Sequence, residues 1–239
     1  MITVFMVTTS PDDSPKSPAP GSLRLAALPF VILLIGAIVL ALKWDSIPES
    51  WPIHWGIKGQ ADGWSNKTLT GVFFPFAAGA LICGFLEGLA FIVRANANAR
   101  TRLSPEAAAT IARLTADFVR LIEIAISIVF VYIGVALPLS PPARAFRLGW
   151  FVFAVIIGAM VIGMVRLKKG VQALKQAGHP GLEGYNGIIY KNPGDSRLWV
   201  PKISGLGYTL NFAHPWAWPI LIAMLAIPVL VVFALVVRS

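Results

Sequence analysis

The sequence predicts an all-α integral membrane protein with five transmembrane helices, an ordered extracytoplasmic loop and a small cytoplasmic β-hairpin element. Three observations predict this class. The 239 residues are 56% hydrophobic and 13% charged, with a mean hydropathy of +0.73, whereas soluble domains carry about 25% charged residues. Five apolar stretches are long enough to cross a bilayer. Basic residues also concentrate in alternate loops, as they do in multi-pass proteins.

The chain divides into four regions. Residues 1–22 contain Ser, Pro and Asp without apolar periodicity, which is typical of a disordered tail. Residues 23–165 form a four-helix membrane region with an outer loop at 44–68. Residues 166–214 form a cytoplasmic basic helix and β-hairpin segment, and residues 215–239 form the fifth transmembrane helix.

The first apolar run is interpreted as a retained span rather than a signal peptide. It is 18 residues long, and Lys43, Trp44 and Asp45 follow it instead of a small-residue cleavage site. The five predicted spans are residues 25–42, 69–93, 121–137, 148–165 and 216–237.

The third span is predicted to belong to a much longer helix. Ser104, Pro105 and Glu106 provide a capping hydroxyl, a first-turn proline and an early acid, which together are typical of a helix start. Nothing interrupts the pattern before Pro138, so the helix would be about 50 Å long and a third of it would stand outside the membrane.

A loop that carries Pro142, Arg144 and Arg147 is predicted next, before the fourth span. That span continues as a basic helix to Gly178, where glycine favours a helix end.

Strand-like sequences follow. Residues 187–190 and 197–200 flank the turn sequence 192–195, which predicts a hairpin. Residues 205–207 predict a second turn, and alternation over 208–212 predicts a third short strand.

The distribution of basic residues predicts the orientation. The N-terminal tail and the second and fourth loops contain 14 of the 20 Lys and Arg residues, and the opposite face contains 6. The positive-inside rule therefore places the N-terminus in the cytoplasm, and it places the loop with His54 and the C-terminus outside.

The outer loop is a candidate recognition site. His54 and Asp62 are eight residues apart across glycines, so a hairpin could join them. Three interpretations remain open: a structural hydrogen bond, recognition of a ligand, and a metal site, which would need a further ligand. Trp51, Trp55 and Trp64 could be interfacial anchors or a stacking cage for a ligand. The outer-loop motif comprises Pro52, His54, Gly59, Asp62, Trp64 and Lys67.

Charged residues near the predicted spans form a second candidate site. Glu87 in the second span is expected to lie at the level of Arg94, and the third helix is expected to bring Arg120 and Glu123 to the same level. This intramembrane charge network could be structural pairing or a proton or ion pathway.

A small-residue motif lies on the same helix as Glu87. Gly84 and Gly88 form a GxxxG spacing, which we interpret as packing within the chain rather than as a dimer contact.

The cytoplasmic segment contains a third candidate site. Its residues could face lipid headgroups, helped by Lys168, Lys169 and Lys175, or they could dock a soluble protein partner whose binding moves the last helix. The cytoplasmic motif comprises Asn192, Pro193, Asp195, Arg197, Pro201, Lys202, Asn211 and His214.

Several functional classes are disfavoured. The net charge of +9 and the absence of a recognition helix or zinc spacing predict lipid-headgroup contact rather than nucleic-acid binding. The single Cys83 excludes an intrachain disulfide and a multi-thiolate site. No nucleophile elbow, phosphate-binding glycine loop or HExxH spacing is present, so the expectation is no enzyme, no cofactor and no resident metal.

The outer-loop motif after the first span resembles the membrane family called domain of unknown function 1648, found at the start of SdpI-type bacterial immunity proteins. The stretch 190–202, with Gly205, Gly207, Asn211 and His214, is similar to the family called domain of unknown function 5808. This resemblance implies a bacterial inner-membrane protein with a role in immunity or signal reception. The C-terminal half of SdpI-type proteins has no counterpart here, so immunity is an analogy.

The sequence thus predicts a non-enzymatic, receptor- or immunity-like membrane protein. Its expected partners are a peptide toxin or small ligand outside, a protein inside, and anionic lipid. The alternative is a small proton- or ion-coupled transporter that uses Glu87 and Glu123. A membrane metal-dependent enzyme is the least favoured hypothesis.

Overall fold

A computed structural model describes residues 21–56, 60–96, 103–140, 142–205 and 207–237. Five α-helices dominate this part of the chain, and most of the predicted tail lies outside it, although its last two residues begin the first helix. The helices are α1 (Gly21–Leu42), α2 (Leu69–Ala95), α3 (Pro105–Leu139), α4 (Pro142–Gln176) and α5 (Ala217–Val237).

The predicted start of α3 is confirmed. The Ser104 hydroxyl accepts a hydrogen bond from the Ala107 N–H at 3.3 Å, and Pro105 and Glu106 occupy the first turn. Proline suits this position because its missing N–H would have no helical partner there. The 35 residues of α3 correspond to about 52 Å.

The boundaries of α4 were predicted correctly at one end only. The expected loop with Pro142, Arg144 and Arg147 is wrong, because α4 begins at Pro142, where proline's fixed φ suits a first helical turn. At the other end, α4 stops at Gln176 and Gly178 has a φ of +79°. That left-handed conformation, which glycine adopts without steric penalty, ends helices.

The predicted outer loop is a β-hairpin. Strand β1 (Ser50–Trp55) pairs antiparallel with β2 (Ala61–Asn66), and the register shifts around His54. The Lys67 N–H donates to the Glu49 carbonyl oxygen at 2.9 Å and closes the base of the hairpin.

The predicted hairpin around residues 192–195 is wrong. Strand β4 (Ile189–Tyr190) pairs with β3 (Tyr185–Asn186), and β5 (Trp199–Pro201) pairs with β6 (Tyr208–Leu210). A parallel bridge between Tyr190 and Asn211 joins the two pairs. The segment between β4 and β5 is held by side-chain hydrogen bonds instead of a strand ladder. We call residues 181–214 the module.

The third predicted strand and the second turn are confirmed in outline. Residues 208–210 form β6, and Gly205 and Gly207 in the connection from β5 have φ values of +79° and +73°.

Helix α3 is the centre of the bundle and packs against α1, α2 and α4. One buried cluster surrounds its C-terminal part, where Phe130 and Val131 meet α1, α2 and β1. A second surrounds its N-terminal part, where Ala107 and Ile111 meet α4 and the module. Ile111 and Phe130 are 19 residues apart, or about 28 Å along the helix. The fold thus has a hairpin end and a module end.

Three helices of the described chain are long and apolar enough to cross a bilayer. They are α2, α3 and the part of α4 from Trp150 to Gln176, and two shorter apolar stretches lie at Ala26–Leu42 in α1 and Ala217–Val231 in α5. Large apolar side chains on these helices are exposed, including Phe74, Leu81 and Trp150, as expected of surfaces that face lipid.

The interpretation of the GxxxG spacing as an intrachain contact is wrong. Gly84 and Gly88 are exposed, and within the described structure a Cβ atom at either would meet no heavy atom within 4 Å. Close approach instead occurs at Gly134, where an added Cβ would lie 2.5 Å from the Phe76 ring. The absence of a side chain at Gly134 therefore lets α3 approach α2 at the hairpin end.

Candidate functional site

His54 and Asp62 meet on the water-accessible side of the hairpin. The His54 Nδ1 and Asp62 Oδ1 atoms are 2.5 Å apart, and the two side chains are 72% and 52% exposed. Small neighbours permit this contact. Gly63 lies opposite His54, and a Cβ at Gly56 would lie 2.8 Å from Asp62 Oδ2. The structure thus brings the predicted pair together, as an exposed pair without an enclosed pocket.

The other residues of the outer-loop motif are dispersed around the hairpin. Pro52 lies opposite Trp64, whose ring is exposed. The Lys67 ammonium lies 5.7 Å from the centroid of the Trp44 ring, a cation–π contact at the hairpin base. Gly59 lies outside the described residues. Trp51 is buried while Trp64 is exposed, so these two rings do not form a shared cage.

An apolar cavity of about 470 Å³ lies between the hairpin, α2 and α3. Trp51 and Ile53 of β1 form one wall, and His54 is not among its lining residues. The side chains that complete the lining are Ser65, Thr70, Val72, Phe74, Pro75, Phe130, Ile133 and Leu137. A cavity of this size and character can enclose an apolar group.

The intramembrane charge network is only partly as predicted. Arg94 Nη2 donates to Glu87 Oε1 at 2.7 Å, and Arg120 Nη2 lies 3.7 Å from the same oxygen. Arg120 also lies 3.4 Å from Asp117. Glu123 differs from the expectation, because it is fully buried and neither of its carboxyl oxygens has a hydrogen-bond partner in the described chain.

Asn211 organises the cytoplasmic motif. It is fully buried, and its side chain makes four hydrogen bonds. Its Oδ1 accepts from the N–H groups of Asn192 and Ala213 at 3.0 and 3.1 Å, while its Nδ2 donates to the carbonyl oxygens of Asn192 and Asp195 at 3.0 and 2.7 Å. Every hydrogen-bonding position of the amide is thus filled, which fixes residues 192–195 against the end of β6.

Asp195 is held by Arg197 and Tyr190. Its Oδ1 accepts from Arg197 Nε at 2.9 Å and from the Arg197 N–H at 3.1 Å, and its Oδ2 accepts from Arg197 Nη2 at 2.6 Å and from the Tyr190 hydroxyl at 2.9 Å. The Arg197 side-chain hydrogen bonds hold the pKa of Asp195 well below its usual range, and the pKa of Arg197 is raised in return. Burial raises the pKa of Tyr190.

The remaining residues of the cytoplasmic motif lie in the turn after β4, at the end of β5 and just before α5. Pro193 is exposed in the turn after Asn192, and the carbonyl oxygen of Pro201 in β5 accepts from the Tyr185 hydroxyl. The His214 Nδ1 accepts from the Trp216 N–H at 3.2 Å just before α5. Lys202 is exposed after β5.

Nothing in the described ranges forms a metal site of the usual kind. No group of three or more His, Cys, Asp or Glu side chains lies close enough there to hold a metal ion.

The fold and these sites define a multi-pass helical membrane protein with a β-hairpin at one end of its bundle and a compact β module at the other. Residues 31–79 match the family model described as Domain of unknown function (DUF1648), and residues 193–218 match that described as Family of unknown function (DUF5808). The chain therefore carries both domains, as the motifs indicated. No curated protein and no solved structure matches it.

The two family matches coincide with the two ends of the fold. The first covers the end of α1, the hairpin and the start of α2, and the second covers the segment from Pro193 through β5 and β6 to Trp218. The α3 side of the hairpin-end cavity lies outside both matches, so the cavity is completed by a part of the chain that neither family model describes.

Sequence reasoning missed several residues of these sites. Phe130 and Ile133 line the cavity from α3, and Tyr185 faces Tyr190 with ring centroids 4.7 Å apart. The sequence did not single out these two residues of α3, because they lie within one continuous apolar run. Tyr185 lies in a segment, 181–186, that contains two glycines and two further polar residues, which marked it as a connector.

Proposed function

We propose that this protein is a non-enzymatic bacterial membrane receptor of the immunity or signal-reception type, which binds a ligand at the hairpin end. The observation that carries this proposal is the apolar cavity of about 470 Å³ under the hairpin. Its walls come from a water-exposed element and from two long apolar helices, so a ligand can reach it where the outer surface meets the bilayer.

The proposal includes five spans in the bacterial inner membrane. Helices α1 and α5 contain 22 and 21 residues, and about 20 residues suffice to cross the hydrocarbon core. The N-terminus then lies in the cytoplasm and the hairpin and C-terminus outside, because 14 of the 20 basic residues fall on the N-terminal face.

The lining favours an apolar segment of a peptide as the ligand. Ser65 and Thr70 supply the few polar side chains of the cavity, and the Ser65 hydroxyl already donates to the Gly71 carbonyl oxygen at 3.3 Å. An apolar side chain would lose contact with water there, which contributes about 1.5–3 kcal/mol when burial is complete. The exposed His54–Asp62 pair remains free to meet polar groups of the same peptide.

Photo-crosslinking in living cells tests this proposal. A photoreactive residue at Ile53, which lines the cavity, is compared with one at Leu81, which is exposed on α2. We expect a peptide adduct at position 53 only, with loss of that adduct in the cavity-filling variant Ile133→Trp and its retention in Ile157→Trp, a lipid-facing control on α4. Lipid adducts alone, or peptide adducts that survive Ile133→Trp, would contradict the proposal.

A second candidate function is a small proton- or ion-coupled transporter that uses Glu87 and Glu123. The observation that favours it is the buried carboxyl of Glu123, whose two oxygens have no described partner, next to a Glu87 that retains one unpartnered oxygen. Ionisable groups at membrane depth commonly mark ion or proton pathways.

Proteoliposomes separate the two functions. A transporter would move protons across the membrane at a rate that Glu123→Gln and Glu87→Gln abolish and that His54→Ala leaves unchanged. Flux no faster than in protein-free liposomes would exclude this second function and leave the receptor proposal untouched.

A further inference from the structure

We propose that the module contains a second binding site, a cavity that takes a small water-soluble organic anion bearing a carboxylate or phosphate group. The cavity encloses about 500 Å³ and lies between the two strand pairs of the module and Leu103, two residues before the start of α3. Small-molecule sites are typically about 300–1,000 Å³. The receptor proposal concerns the opposite end of the bundle and does not depend on this site.

Hydrogen bonds and ring packing within the module hold the walls of the cavity. The Tyr185 hydroxyl donates to the Pro201 carbonyl oxygen, and the Tyr190 hydroxyl donates to Asp195. The two rings pack edge to face with centroids 4.7 Å apart. Asn211, fully buried, holds the 192–195 segment in place. Since a pre-organised site loses little conformational entropy on binding, this rigidity favours a specific small ligand.

The free hydrogen-bonding groups on the cavity wall are mainly donors. Asp195 already accepts four hydrogen bonds, two on each oxygen, which is the capacity of a carboxylate. Arg197 uses Nε and Nη2 for that pair, and no group in the described part of the chain binds its Nη1. Among the described residues none accepts a hydrogen bond from the Lys202 ammonium. Glu183 also lines the cavity, with one carboxyl oxygen bound to the Gly181 N–H at 3.3 Å.

The charged residues around the cavity also favour an anionic ligand. Residues 166–214 contain seven Lys and Arg residues and two acidic residues, and one of these acids, Asp195, is bound to Arg197. Both acids line the cavity together with Arg197 and Lys202, so the excess of positive charge comes from the surrounding segment, where it attracts anions towards the module. Arg197 and Lys202 are therefore the groups that we expect to bind the carboxylate or phosphate, by charge-assisted hydrogen bonds.

The rest of the lining indicates an organic body on the ligand. Val200 and Ile203 are buried beside the cavity, and the Tyr185 and Tyr190 rings form an aromatic wall. Inorganic phosphate alone would leave these apolar surfaces without a partner. We therefore expect an anion attached to an apolar or planar group to bind more tightly than inorganic phosphate.

The cavity lies close to the predicted membrane surface. Asp195, which lines it, is bound through its carbonyl oxygen to Asn211, five residues before Trp216, where the predicted fifth span begins. The anionic group that the site recognises is common to soluble ligands and to lipid headgroups, and the test below separates these two sources.

Titration of the full chain in nanodiscs tests the proposal, with adenosine monophosphate and inorganic phosphate as probes and calorimetry as the readout. We expect saturable binding of adenosine monophosphate, at least tenfold tighter than that of phosphate. Lys202→Met is expected to weaken it at least tenfold, while Lys191→Met, an exposed lysine of the module that does not line the cavity, leaves it unchanged. Thermal unfolding of both variants checks that the module remains folded.

Lipid composition separates the two sources of an anionic group. Binding of adenosine monophosphate is expected to be equal in neutral nanodiscs and in nanodiscs that contain phosphatidylglycerol. Competition by phosphatidylglycerol would show that a lipid headgroup occupies the site and would overturn the assignment to a soluble ligand. Absence of saturable binding, or equal binding by wild type and Lys202→Met, would overturn the site itself.

Discussion

The two ends of the bundle place polar residues in opposite ways. At the hairpin end the polar pair His54–Asp62 is exposed to water and the cavity beneath is apolar. At the module end the polar network around Asn211 is buried, and the cavity beside it is lined by tyrosines, Arg197 and Lys202. Polar residues therefore lie on an exposed surface at the hairpin end and form a buried scaffold at the module end.

This contrast follows from where each element is anchored. The hairpin rests on apolar helices through Trp51, beside Ile47 of the segment that leads into it, so its buried face must be apolar. The module packs on α3 and α4 through Leu182 and Ile203, and its strands are only two or three residues long. Because such short strands leave many backbone groups unpaired, buried side chains must satisfy those groups.

The largest expected effect is that of Asn211→Leu. This substitution removes four hydrogen bonds and leaves backbone groups of Asn192, Asp195 and Ala213, which are half-buried, without these partners. Each unsatisfied buried group costs about 1–3 kcal/mol, so we expect the module to lose more than about 3 kcal/mol of stability. Amide hydrogen exchange over residues 192–200 measures this loss, and we expect it to be roughly a hundredfold faster in the variant than in the wild type.

Asn186→Leu is the matched control for that experiment, since Asn186 is exposed in β3. With this substitution, the rate of amide hydrogen exchange in the module is expected to stay within a few-fold of the wild-type rate. Equal effects of the two substitutions would mean that Asn211 is not what holds the module together.

Gly134→Ala is expected to destabilise the hairpin end. The added methyl group would lie 2.5 Å from the Phe76 ring, and overpacking of this kind costs about 1–3 kcal/mol. Thermal unfolding in detergent measures the effect. Gly158→Ala is the control, because a Cβ there meets nothing within 4 Å in the described structure. A lower melting temperature for Gly158→Ala than for Gly134→Ala would contradict the packing described here.

Acid is expected to weaken the module through Asp195. Because the folded-state pKa of Asp195 is depressed, its contribution is complete above the unfolded-state pKa of about 3.9 and is lost as the pH falls through the folded-state pKa. The stability difference between wild type and Asp195→Asn is therefore expected to be constant from pH 7 to about 5 and to shrink below about pH 4.

Hydrogen exchange of the module as a function of pH measures this difference. Asp62→Asn, at the hairpin end, is expected to leave the hydrogen exchange of the module unchanged at every pH. A stability difference between wild type and Asp195→Asn that increases at low pH would show that protonation of Asp195 does not weaken the module.

The smallest effect is expected for His54→Ala. The His54–Asp62 contact is short, but both side chains are more than half exposed, and exposed ion pairs contribute about 0–1 kcal/mol. The free energy of unfolding, measured by thermal unfolding, is expected to change by less than about 1 kcal/mol. A much larger loss would show that the pair is a structural element of the hairpin and not a surface available to a ligand.

Local chemistry explains which parts of the fold could be predicted from the sequence. The start of α3 depends on Ser104 and Pro105, and the end of α4 depends on Gly178, so residues close in sequence determined both. The meeting of His54 and Asp62 likewise needed only glycines between two short strands.

Long-range contacts explain what the sequence did not reveal. The 192–195 segment is positioned by Asn211, 16 to 19 residues away, and a turn-like sequence alone cannot show that its flanking strands pair elsewhere. The hairpin-end cavity needs Ile133, which is 80 residues from Ile53. The lack of a described hydrogen-bond partner for the Glu123 carboxyl also depends on how α2 and α3 pack, which apolar periodicity does not specify.

Cysteine labelling tests most directly whether the two ends lie on opposite sides of a membrane. The only native cysteine, Cys83, is buried, so Gln60→Cys near the hairpin tip and Ser196→Cys in the module each introduce one accessible thiol. In intact cells a membrane-impermeant maleimide is expected to label Gln60→Cys, and Ser196→Cys only after permeabilisation. Labelling of both variants in intact cells, or of neither before permeabilisation, would show that the two ends do not lie on the predicted sides of the membrane.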